Sequence, residues 1–107
     1  MAFARVQVQA APRRGEPFEV RLSIRHPMET GFRVGDTGKP IPRNTIRAFS
    51  CRYNGAEVFR ASLGSGIAAN PYLRFFVTAV DSGDLAFEWI DDAGERGEAH
   101  ARVEVAA

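Results

Sequence analysis

The chain spreads one cysteine, two histidines and one tryptophan over 107 residues, and each scarcity closes a class of function. A lone cysteine, Cys51, excludes an internal disulfide framework. Charge of one sign is also missing. Fourteen basic residues face thirteen acidic ones for a net +1, so there is no field to gather nucleic acid or an anionic membrane surface. No apolar run approaches the roughly 20 residues of a transmembrane helix. The start, MAFARVQVQAAPRRGEPFEV, alternates where a secretory signal needs a continuous apolar stretch. Arg13-Arg14 is followed by Gly15, Glu16 and Pro17, which reads as a charged turn and not as an export signal. Helical periodicity is nowhere sustained. It leaves one short helical turn at Ile67-Ala68-Ala69-Asn70, stopped by Pro71.

What the chain does have is alternation. In Phe18-Glu19-Val20-Arg21-Leu22-Ser23-Ile24 every second residue is apolar, the signature of a half-buried strand. Phe3 to Gln9 sets Ala4, Val6 and Val8 on one face, and near the other end Ala99, Ala101, Val103 and Val105 do the same. Between them, Asn54-Gly55 joins the runs 46–53 and 56–63 as a hairpin turn pair that tolerates positive φ. Asp84 to Ile90 directs Leu85, Phe87 and Trp89 inward, with Trp89 expected at the centre of the core, and Asp91-Asp92-Ala93-Gly94 turns the chain into the last strand. About seven short strands predict a single all-β domain over 1–107, an immunoglobulin-like antiparallel β-sandwich. Tyr72–Val80 is apolar on both faces, with Tyr72, Phe76 and Val80 opposite Leu73, Phe75, Val77 and Ala79. Such a strand is covered by a loop or sits at an interface.

Reactive groups do not assemble into a recognisable set. Cys51 alternates with Phe49 and Tyr53 on the inward face, where a thiol behaves as a small hydrophobe. His100 lies among Glu98, Arg102 and Glu104 on a solvated face, and Gly64-Ser65-Gly66 is too short for a phosphate loop. His26 and Met28, with Cys51, bring to mind a copper site, but an electron-transfer copper centre needs a second histidine close behind the cysteine. Arg52-Tyr53-Asn54-Gly55 supplies none. A small periplasmic copper-binding protein using His26 and Met28 is the alternative reading. The leading one has no catalytic residue, cofactor or metal.

The stretches HPMETGF (26–32), GKPIPR (38–43), YNG with EVFRA (53–61) and IAANPYL with Phe75 resemble the SoxZ family of the bacterial sulfur-oxidising (Sox) system, nearly end to end. The resemblance implies an immunoglobulin-like sandwich that pairs with SoxY in a SoxYZ heterodimer and contacts the other Sox enzymes transiently. The resemblance implies further that the partner's C-terminal arm carries sulfur intermediates on a cysteine, so Cys51 is not expected to be the carrier residue. It also implies a periplasmic location, with export on the partner's signal. Residues 26–43 then read as a contact surface. Strandless stretches beyond roughly 12–15 residues in compact domains are usually functional, and Pro27, Pro40 and Pro42 stiffen this one. Interfaces favour methionine, aromatics and arginine, which makes His26, Met28, Phe32, Arg33, Ile41, Pro42 and Arg43 candidates, with Tyr72 and Phe76 as a second group. The plainer alternative is that Met28, Phe32 and Ile41 plug one end of the sandwich. Without its partner the chain is expected to be able to pair with itself.

Overall fold

Alternation folds as it reads. The computed structural model describes residues 4–64 and 66–106, so Phe3 of the first expected strand and Ser65 of the glycine pair lie outside the described residues. Among the described residues seven strands run in chain order: β1 (Ala4–Val8), β2 (Pro17–Ile24), β3 (Ile46–Tyr53), β4 (Ala56–Ala61), β5 (Tyr72–Thr78), β6 (Gly83–Asp91) and β7 (Arg96–Val103). They form two antiparallel sheets, β1-β2-β5 and β4-β3-β6-β7, the three-plus-four arrangement of an immunoglobulin-like sandwich. A parallel bridge from Arg13 to Ala106 ties the first loop to the chain beyond β7.

The alternating residues of β2 (Phe18, Val20, Leu22 and Ile24) are fully buried and face Phe49, Leu85, Phe87 and Trp89 of the opposite sheet. Each such side chain contributes about 2 kcal/mol of burial. Phe49, not Trp89, is the aromatic hub. Its ring lies 6.1–6.5 Å from those of Phe59, Phe75, Phe87 and Trp89. Trp89 is buried to one side, its indole flat on Gly97 of β7, where a Cβ would stand 2.3 Å from the ring. Its Nε1 has no hydrogen-bond partner among the described residues.

Three expectations are corrected. No helix forms among the described residues at 67–70; Ile67 N–H closes a turn on Gly64 C=O, and Asn70 adopts φ 55°. That left-handed backbone cannot continue a right-handed helix. β5 stops at Thr78 and not at Val80, because Val80 N–H is taken by the Tyr53 hydroxyl, which itself donates to Asp81 C=O. The 26–43 stretch is not strandless throughout. Bridges at Glu29–Asn44 and Val34–Pro40, with Ile41 N–H on Arg33 C=O, fold it into a loosely paired arm turned at Gly35–Gly38. Six prolines and ten glycines in the chain, three of each in this segment, keep the pairing discontinuous. The molecule measures 60 × 20 × 19 Å. A nine-residue strand spans about 30 Å, so the strands lie along the long axis and the arm with the loops makes up the remainder.

Candidate functional site

The arm leaves the sandwich between β2 and β3, and its base is bolted down by buried polar groups. His26 stands two residues beyond the end of β2, and its backbone pairs with Asn70, whose Oδ1 accepts His26 N–H and whose own N–H donates to His26 C=O. The His26 ring is 6% exposed. Its Nδ1 accepts the Met28 N–H at 2.9 Å. The proton therefore sits on Nε2, which donates to Asp91 Oδ2 at 3.0 Å. Burial pushes the Asp91 carboxyl upward, but hydrogen bonds from His26, the Glu95 N–H and Asn44 outweigh it and hold the group below the usual carboxylate range. Met28, in the left-handed region at φ 50°, turns its sulfur inward, where Sδ accepts the Ile46 N–H at 3.3 Å.

Asp92 completes the foundation. Its Oδ2 accepts both the backbone N–H and the hydroxyl of Thr45 at 2.9 Å, which lowers its pKa, and Arg43 approaches it at 3.4 Å. Asn44 Oδ1 takes the Ala93 N–H. The β6–β7 turn, the arm and the segment before β5 thus converge on one end of the sandwich. Asp91, Asp92, Asn44, Thr45 and Asn70 escaped the sequence reading. Aspartates serving the backbone of a turn were expected there, but nothing in the spacing joins position 91 to position 26.

The nine candidate contact residues separate into three groups. His26 and Met28 are withdrawn into the interior and support the surface from beneath; as contact residues they are corrected, since burial removes both from a partner's reach. Phe32, Arg33, Pro42 and Arg43 are exposed on the arm, with Phe32 at 87%, and Ile41 half-covers Gly35. Arg33 bridges to Glu29 within the arm at 2.5 Å. Tyr72 and Phe76 stand on the open outer face of β5, 58% and 56% exposed, and no loop among the described residues covers them. Arg74 lies over the Phe76 ring at 5.4 Å. Phe32 is therefore not a plug for the sandwich end, whereas Met28 is one.

The copper pair fares badly on this geometry. His26 Nδ1 commits its one lone pair to a backbone N–H and Nε2–H faces a carboxylate, so the ring has no free donor for a metal, and Met28 Sδ is turned inward onto the Ile46 N–H. No group of three or more His, Cys, Asp or Glu residues among the described residues is placed to hold a metal ion. Cys51 is buried in the core between the two sheets, and desolvation pushes its thiol up to about 12. Since the thiolate is the reactive species, alkylation of the native protein at mildly alkaline pH is expected to proceed only as fast as the fold opens. Mass spectrometry of a timed iodoacetamide reaction, with the urea-unfolded chain as reference, checks this; equal rates in the two states contradict the burial.

Comparison with known proteins agrees with this architecture. The chain superposes on superoxide reductase (neelaredoxin) from Ignicoccus hospitalis with a TM-score of 0.72 and 20% identity, covering 95% of this chain and 79% of that one. A superoxide reductase described as putative, from Thermotoga maritima, gives 0.71 and 14% over 97% and 86%. The sulfur carrier protein SoxY from Chlorobium limicola f thiosulfatophilum gives 0.64 and 10% over 97% and 79%. At these identities the likeness is one of fold. No curated protein matches the sequence. The family described as "Sulphur oxidation protein SoxZ" matches residues 6–102. That span takes in the arm, its buried foundation and all of β2 to β6, and the chain belongs to the SoxZ family of sulphur oxidation proteins.

Proposed function

We propose that this protein is the non-catalytic subunit of a SoxYZ carrier, scaffolding a SoxY-class partner whose own cysteine bears the sulfur intermediate, and that the arm docks the Sox enzymes visiting the complex. The observation that carries this reading is Phe32, a phenylalanine left 87% exposed on an arm whose base is pinned by buried hydrogen bonds. Preorganisation of that kind lowers the ordering cost of association, and aromatic side chains are the usual anchors of an interface. Arg43, 56% exposed in its side chain and reaching Asp92 only at 3.4 Å, adds a planar donor fork suited to carboxylates. The periplasm, reached by export together with the partner, is the compartment that fits this role.

Phe32→Ala is expected to weaken binding of the carrier to its pathway enzymes by about tenfold, the loss of about 1.4 kcal/mol typical of a modest interface anchor. Its urea unfolding midpoint should not move, because the side chain touches solvent and not the core. Titration calorimetry of the reconstituted carrier, alongside thiosulfate-dependent turnover, tests this. Unaltered affinity and turnover would remove the arm from the docking surface.

A further inference from the structure

β5 is the outer strand of its sheet, hydrogen-bonded to β2 on one side only. Ile24 N–H donates to Pro71 C=O, and Ala79 N–H to Glu16 C=O. Antiparallel pairs alternate between bonded and non-bonded, so Leu73, Phe75 and Val77 spend their backbone groups on β2. Tyr72, Arg74, Phe76 and Thr78 turn theirs to the open side, where nothing among the described residues meets them. The same four residues carry the outer-face side chains, including the exposed rings of Tyr72 and Phe76. An unpaired edge and an apolar strip therefore coincide on one strand. Natural sheets normally blunt such an edge with charge, proline or a bulge. Here the register from Tyr72 to Thr78 runs without a bulge, and the one charge, Arg74, is tied to Glu19 at 2.6 Å.

We infer that the free edge of β5 is a strand-addition site, taken by an edge strand of the SoxY-class subunit, which extends β1-β2-β5 across the heterodimer. The inference rests on the reading above that such a subunit is the partner. Two observations select this occupant. SoxY of Chlorobium limicola f thiosulfatophilum shares this sandwich fold, so it has edge strands of its own to offer in an approximately two-fold arrangement. Charge narrows the choice further. The outer face of the sheet sets Arg5, Arg21 and Arg74 against one carboxylate, Glu19, with Arg21 and Arg74 directly opposite each other. Pairing with a second copy would bring two basic faces side by side, whereas a partner strand bearing surplus carboxylate relieves the repulsion.

Residue-resolved amide exchange tests the site on the full chain, free and with a SoxY-class partner. In the free protein Tyr72, Arg74, Phe76 and Thr78 exchange fast while Leu73, Phe75 and Val77 are protected. In the complex the four fast amides slow by about a hundredfold or more. Thr78→Pro, which removes an edge-facing donor and leaves the β2 ladder intact, weakens the complex by about thirtyfold, and added salt weakens the wild-type complex as well. A complex that forms while the four amides stay fast overturns the edge assignment and leaves the pairing itself standing. Failure of the wild-type chain to bind the partner overturns both. Protection that arises by self-association of the free chain, with no gain on adding partner, assigns the edge to a second copy and overturns the proposal.

Discussion

His26→Ala lowers the unfolding free energy by about 3 kcal/mol, the scale on which a buried carboxylate short of a donor and a buried N–H without an acceptor register together. Three losses combine. The Asp91 carboxylate stays buried with a donor gone, the Met28 N–H loses its acceptor, and a ring-sized void opens at 6% exposure. The urea midpoint falls in proportion, and the thermal midpoint drops by roughly 12 °C at about 4 °C per kcal/mol. The pH dependence carries a second signature. Asp91 is held below its ordinary range in the fold, so its contribution is fully present above the unfolded carboxyl value near pH 4, roughly, and is lost as the pH falls through the folded value. His26→Ala removes one of the bonds that lower Asp91, so the acid-induced loss shrinks in the variant. An unmoved urea midpoint would mean that the dyad is not holding the arm's base.

Gly97→Ala destabilises the protein by about 3 kcal/mol, at the upper end of what overpacking a filled core costs. The added methyl would lie 2.3 Å from Cε2 and Nε1 of Trp89, and the far side of the indole is blocked by Phe49. Either β7 lifts off β6 at the Trp89–Gly97 pair or the indole leaves its rotamer. With one tryptophan in the chain, emission reads the outcome directly. A red shift in the folded variant reports the indole gaining water, and a lowered denaturant midpoint reports the cost. Wild-type emission and midpoint together would show that the contact can relax freely.

The strands were legible because a half-buried strand writes its geometry into every second residue; β2, β6 and β7 sit where Val20, Phe87 and Ala101 put them. The Asn54-Gly55 turn was equally plain, since both residues take positive φ, 49° and 86°. The arm's position and the outward Phe32 could also be anticipated. Its foundation could not. Methionine and histidine suit an interface and a polar core alike, and only the sixty-five-residue separation of His26 and Asp91, closed by the fold, decides between them. Local pattern also misjudged 67–70, where two alanines suggest a helical turn but Asn70 is held in a left-handed conformation by its two bonds to His26.

The strands run along the 60 Å axis, with the arm at one end and the Arg13–Ala106 bridge at the other. A pull between the arm and the segment beyond β7 enters through β3 and leaves through β7, so it loads the β3-β6 and β6-β7 ladders in shear instead of peeling their bonds apart singly. Mechanically the sandwich is a stiff strut, so a tug that reaches the pinned base of the arm is carried to the far end by the strands together.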